Sequence, residues 1–223
     1  MEPSKNIIIA ISRQIASGGS FIAQSVSRRL CFKYLDRDIL YGAAETLGVD
    51  MSDISGMEEK SSGFLENIIR FFSFGTPESA YIVPARRPVY DRDLFNAESA
   101  IIRKLAAEND CVILGRGGAH LLRDHPGLVK IFIHAPRKER IRRLMDIRKS
   151  DDCKKIAAEI DESDENRRKF MLDMLGIDWN DARNHHLCID TSATGLAEAE
   201  EMILKLAGEK IRRIRDEKIC NRS

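Results

Sequence analysis

Five short apolar runs, separated by stretches of helical periodicity, are what most constrains the fold of this chain. They are IIIAI (7–11), KYL (33–35), CVILG (111–115), LVKIFIHA (128–135) and HLCID (186–190). The first, third and fourth are rich in β-branched residues and apolar on both faces, as strands of a helix-covered parallel sheet must be. Between them, SFIAQSVSRRL (20–30) places Phe21, Ile22, Val26 and Leu30 on one helical face. PRKERIRRLMDIRK (136–149) opens with Pro136 in a first-turn position and mixes Ile141, Leu144 and Met145 with charge. Residues 195–218 carry an apolar stripe of Met202, Ile203, Leu206, Ile211 and Ile214. Strands alternating with helices predict a three-layer α/β fold: a central parallel sheet of about five strands, helices on both faces and right-handed crossovers. Two segments exceed an ordinary connection, 37–108 and the very polar 150–185. Insertions of that length in α/β proteins usually hold substrate contacts or lids.

The charge balance narrows the function classes. Lys and Arg total 36 against 35 Asp and Glu, a net charge of +1, so wholesale binding of nucleic acid has no support. Positive charge is local instead, in the pairs Arg86-Arg87, Arg142-Arg143, Arg167-Arg168 and Arg212-Arg213, whose default reading is solvated helix surface. The five cysteines form no C-x-x-C pair, which speaks against a zinc site or a disulfide framework and for a reducing cytosol. Cys111 and Cys188 are expected in buried strands, as small hydrophobes. The N-terminal apolar run is too short for a signal peptide or a membrane span. A soluble cytoplasmic protein with no membrane partner is expected.

The stretch ISRQIASGGSFIAQ (11–24) carries the chemistry. An apolar run ends in a Gly/Ser turn and a helix follows, the layout of a phosphate-binding loop. Laid on the pattern G-x-x-x-x-G-K-S/T, Arg13 falls at the first glycine, Gly18 at the second, Gly19 at the lysine and Ser20 at the hydroxyl. Two of the four signature positions match. Gly18 and Gly19 permit close backbone approach to an anion, and Ser20 keeps an oxygen for Mg²⁺. The absent ammonium calls for a guanidinium from elsewhere, and Arg13 lies within the same loop. On the loop alone, a glycine turn with a Ser cap explains the residues equally well.

The succession of further motifs is more specific. KYLDRDIL, VILGRGGAHLL, KIFIHAPRKERIRRL, DESDENRRKF and DWNDARNHHLCIDTS follow the loop in the order of the cytidylate kinase-like family, which this chain resembles from about residue 6 to 206. The resemblance implies a P-loop kinase fold in a single domain over 1–223, with 37–108 as an inserted acceptor-binding region and 150–185 as a lid region. It implies transfer of the γ-phosphoryl of ATP, with Mg²⁺, to a pyrimidine monophosphate such as CMP or dCMP. Members commonly lack the loop lysine. By resemblance, Ser17, Gly18, Gly19 and Ser20 cradle the ATP phosphates. Asp36 and Arg37 meet the acceptor nucleotide, Arg116 of GRGG contacts its phosphate, and Arg167 and Arg168 close over the transferring group from the lid.

Each assignment has a structural alternative. Asp36 serves equally as a helix N-cap, Arg116 as one half of a surface ion pair, and Arg167 and Arg168 as solvated helix charges. His185-His186 reads as a loop pair rather than a metal site, Trp179 as a packing anchor at the base of the lid, and Phe71, Phe72 and Phe74 as a subdomain core or subunit contact. The implied partner is a small-molecule nucleotide, and a homodimer stays open. Two other functions stay open as well: a P-loop kinase for another small acceptor, and a catalytically weak nucleotide-binding regulator.

Overall fold

A computed structural model describes residues 6–36 and 92–220 of the chain. The readings made for Arg37, Arg86, Arg87 and the Phe71/Phe72/Phe74 patch lie outside the described residues. Five strands form one parallel sheet: β1 (Ile8–Arg13), β2 (Lys33–Leu35), β3 (Cys111–Leu114), β4 (Leu128–His134) and β5 (Leu187–Asp190), in the order β2-β3-β1-β4-β5. β1 is central, with Ile8 in register with Cys111 on one side and Leu128 on the other. Around the sheet run α1 (Gly19–Leu30), α2 (Arg92–Glu108), α3 (Gly118–Leu121), α4 (Arg137–Arg148), α5 (Cys153–Leu175) and α6 (Thr191–Cys220).

The strand pattern sets the two faces. Ile7, Ile9 and Ile11 point to one side with Val112, Leu114, Val129, Ile131 and Ile133. There α1 contributes Ile22, Ala23 and Val26, and α6 contributes Ala199, Ile203 and Ala207, all buried. This is the helical repeat at work, because residues three and four apart share one face. α3 covers the opposite side: a Cβ on Gly118 would meet Ile113 Cγ2 at 2.8 Å and Ala10 Cβ at 3.9 Å.

The long polar insertion 150–185 is mostly α5. Asp152 caps its start, accepting from Lys155 N at 3.0 Å, and Gly176 ends it in the left-handed region (φ 66°). α6 breaks at Gly195 (φ 77°, ψ 171°), so its first residues form a separate turn beside the sheet edge.

Two expectations fail at the edges of elements. Phe21 is 57% exposed rather than buried, because the face α1 gives the sheet runs through Ile22, Ala23 and Val26 and leaves Phe21 to one side. Cys188 is exposed: β5 is an edge strand, and within it only Ile189 is fully buried. Cys111, in the interior strand β3, is buried as expected.

Ile203 touches the layer between α6 and the sheet and is fully buried. Ile203→Ala should lower unfolding free energy by about 2–5 kcal/mol through lost burial and a cavity, read from the denaturant midpoint at unchanged m.

Candidate active site

The loop after β1 is tied down from three sides. Gln14 N–H donates to Ile133 O of β4 at 3.0 Å. Ser17 is fully buried and its hydroxyl donates to Gln14 O at 2.8 Å, so this side chain shapes the loop from within. Thr191, at the start of α6, donates from its hydroxyl to Ser17 O at 2.8 Å. Arg143 of α4 holds Thr191 in turn, donating to its Oγ1 at 2.8 Å and its carbonyl at 3.1 Å. Ala16 (φ 57°) and Gly18 (φ 85°) adopt left-handed backbone, which curls the loop into a concavity of the kind that takes anions. At Gly18 a side chain is excluded twice over, by its φ and by Leu196 Cδ2, which fills the place of a Cβ. The first intrahelical bond of α1 is Ile22 N–H to Gly18 O at 3.0 Å. The N–H groups before it are those a helix leaves unsatisfied, and they carry the positive end of its dipole. Ser20 is exposed in that first turn.

The lysine position has a physical explanation. A Cβ on Gly19 would lie 2.6 Å from Arg13 Cβ and 2.9 Å from Arg13 Cγ. The stem of Arg13 thus fills the space that a side chain at 19 would need. Its guanidinium reaches across to Gly115 (φ 76°), where Nη1 lies against the place of a Cβ. Two exchanges in the motif, arginine at the first glycine and glycine at the lysine, are therefore one steric event. Gly19→Lys alone should cost about 1–3 kcal/mol by overpacking. Combining it with Arg13→Gly should recover most of that loss, and thermal melting of the four proteins of this double-mutant cycle measures the coupling.

The turn after β3 supplies the second cation. Gly115, Arg116 (φ 54°) and Gly117 (φ 65°) are three left-handed residues in succession. A non-glycine there costs on the order of 1 kcal/mol and needs fixing by its surroundings. Arg116 is fixed twice. Its Nη1 donates to Glu98 Oε2 of α2 at 2.7 Å, and its guanidinium lies 5.4 Å from the centre of the Phe170 ring of α5. Phe170 meets Phe95 edge to face at 5.5 Å, joining α2 and α5 around the arginine. Glu98 is 1% exposed and its Oε1 has no hydrogen-bond partner among the described residues. Sequence reasoning passed over Glu98. The available signal was one acid between Phe95 and the apolar Ile101-Ile102. Glu98→Ala strands Arg116 and should destabilise by about 3 kcal/mol, the lower end for breaking a buried pair, since Arg116 keeps some solvent. Thermal melting checks it.

Asp36 follows β2 at the same carboxyl edge of the sheet, beside Tyr34. Burial, then the Asp36 carboxylate, push the Tyr34 phenol above its ordinary pKa, while Arg13 acts the other way. Arg13, Asp36, Ser20 and the Arg116 turn thus gather at one edge.

The two expected lid arginines are joined to partners within α5. Arg167 donates to Ser163 Oγ at 2.7 Å, and exposed Arg168 grips Glu165 through two bonds of 2.8 Å. That grip holds the Glu165 carboxyl down at about 2. A third arginine in the region escaped the sequence reading. Arg140 of α4 is buried, donates to Ala135 O at 3.1 Å and meets Asp164 of α5 at 2.8 Å. It anchors α5 beside the end of β4. Trp179 is the packing anchor expected, buried on Phe132 with Met171.

A parallel sheet whose central first strand runs into a glycine loop and then a helix is the P-loop kinase arrangement. The chain matches the model of the Cytidylate kinase-like family over residues 8–193 and belongs to that family. It is 32% identical to a cytidylate kinase of Lysinibacillus sphaericus, over 93% of this chain and 99% of that one. It is 28% identical to a cytidylate kinase of Solibacter usitatus, over 95% and 97%. A crystal structure of an uncharacterized protein from Eubacterium ventriosum, 20% identical, has the same fold with a TM-score of 0.65 across 91% of this chain and 99% of that one.

Proposed function

We propose that this protein transfers the γ-phosphoryl group of Mg-ATP to a nucleoside monophosphate, with CMP or dCMP as acceptor. The observation that carries the reading is Arg13, which occupies the space of the missing lysine and extends its charge toward the Arg116 turn. A phosphoryl donor and acceptor would meet between those two groups. Family membership and two relatives named cytidylate kinase support the pyrimidine acceptor.

Phosphoryl transfer asks for positioning and positive charge rather than covalent chemistry. In this reading the N–H groups of Gly18, Gly19 and Ser20 surround the ATP phosphates, with Ser17 holding the loop's shape. The Ser20 hydroxyl, exposed in the first turn of α1, would supply a protein oxygen to the Mg²⁺ of Mg-ATP, whose charge would offset that of the phosphates. Arg13 neutralises charge on the outer phosphates. Arg116 receives the acceptor phosphate, held in place by Glu98 and Phe170. Asp36 and Arg37 bind the rest of the acceptor together with the region 37–108. The segment 150–185 acts as the lid, Arg167 and Arg168 exchanging Ser163 and Glu165 for phosphate oxygens when it closes. A cytoplasmic location goes with this activity. Among the described residues no helix is long and apolar enough to cross a membrane.

A coupled assay with Mg-ATP and CMP, dCMP, UMP or AMP tests the proposal. Turnover is expected with CMP or dCMP. ATP binding without turnover on any of the four would overturn it and favour a nucleotide-binding regulator or another acceptor. Arg116→Ala should lower kcat/KM for the acceptor about 10²-fold, the scale for losing one transition-state donor, while ATP affinity changes little. Equal loss of both would remove the acceptor-phosphate role.

A further inference from the structure

The sheet face that carries α3 holds a cavity, walled in part by the segment 150–185, in which the proposed phosphoryl transfer places no group. Its volume is about 250 Å³, and its walls include His120, Arg123, Lys130, Met171, Trp179 and His185. Among the described residues every ionisable group on its wall is basic. Lys130 projects from β4 on the face opposite the Ile131 core, is half-buried, and forms no ion pair with any carboxylate among the described residues. Nearby acids are occupied or remote. Asp124 is almost fully exposed and meets Arg123 at 3.5 Å, Asp181 is gripped by Arg183 at 2.7 Å, and Asp178 Oδ1 accepts from Asn180 N at 3.0 Å.

The wall is built rather than accidental. Phe132 packs edge to face on Trp179 at 5.5 Å and stacks on His185 at 5.1 Å. His185 Nε2 bonds Trp179 O at 3.2 Å, and Asn184 Nδ2 donates to Asp178 O at 2.8 Å, closing the segment after α5 on itself. His120 and His185 both have pKa values below the ordinary histidine value, through burial first and then through the positive charge of Arg123 or Lys130. Neutral histidines leave Lys130 and Arg123 as the cations of the cavity.

We propose that this cavity binds a small organic anion: one carboxylate or phosphate head on an apolar body no larger than a single ring. Lys130 and Arg123 take the head through charge-assisted hydrogen bonds, and Met171, Ile177 and Trp179 take the body. A half-buried ammonium with no counter-ion among the described residues is the group such a ligand relieves. The occupant would also reach the kinase site mechanically. Met171 and Leu175 pack beneath Gly117, the neighbour of Arg116, so filling the cavity stiffens the turn that holds that arginine.

Trp179 is the single tryptophan of the chain and lies in this wall, so its emission reports on the cavity, and the Arg13→Ala variant separates that response from one relayed from the phosphate loop. Titration of the full chain with benzoate or phenyl phosphate should give a saturable change, and whichever of the two binds identifies the head group. Benzamide, with the same ring and no charge, should give none at equal concentration. Lys130→Met should weaken the response about tenfold or more, as expected for losing a hydrogen bond to a charged group. Arg123→Gln, on a side chain 62% exposed and so harmless to folding, should weaken it as well. The response should persist in Arg13→Ala. No saturable change with either anion, an equal response to benzamide, full affinity in both variants, or loss in Arg13→Ala, which would put the anion at the phosphate loop, each overturns the proposal.

Discussion

β1 carries the rest of this molecule. It is the central strand, paired with β4 from Ile8 to Arg13 and with β3 from Ile8 to Ile11, and Ile8–Ile11 are buried on both faces. Once the apolar faces on either side are covered, the chain leaving its carboxyl end has one direction available. That exit sets Arg13, the loop and the first turn of α1, and the parallel neighbours deliver Asp36 and the Arg116 turn to the same edge. The hydrophobic burial of one strand thereby assembles a cationic site from three separate parts of the sequence.

The site is held by groups that do no chemistry themselves. Ser17, Thr191 and Arg143 form a chain of hydrogen bonds from α4 through α6 to the loop. Glu98 and Phe170 clamp Arg116 from α2 and α5. These contacts matter because left-handed residues such as Ala16 and Arg116 hold their backbone only when their surroundings over-determine it. The clamp also joins the Arg116 turn to α5, so that any motion of α5 is felt at Arg116.

Much of this could be read from the sequence. β1, β3 and β4 were visible because parallel strands buried on both faces are apolar at nearly every position, and the edge strands β2 and β5 because short apolar runs alternate with the helices. α1, α4 and α6 were visible because each keeps a periodic stripe. Where periodicity was weak, the reading slipped: Phe21 sits at the margin of the α1 face, and Cys188 lies on an edge strand whose outer side nothing covers. Glu98 and Arg140 were invisible for another reason. A buried ion pair joins residues far apart in sequence, 18 positions for Glu98 and Arg116, and no local pattern marks either partner. The same holds for the cavity around Lys130, whose wall comes from β1, α3, β4, α5 and the segment after α5.

What the sequence by itself determined was the alternation of strand and helix, the place of the glycine loop and the list of arginines near strand ends. These follow from local periodicity and from residues whose backbone freedom or charge is legible one at a time. Only the tertiary structure decided which side chain fills the space beside Gly19. Gly19 alone is an absence. Packed against Arg13, it is the room that Arg13 requires, since two side chains cannot occupy one volume.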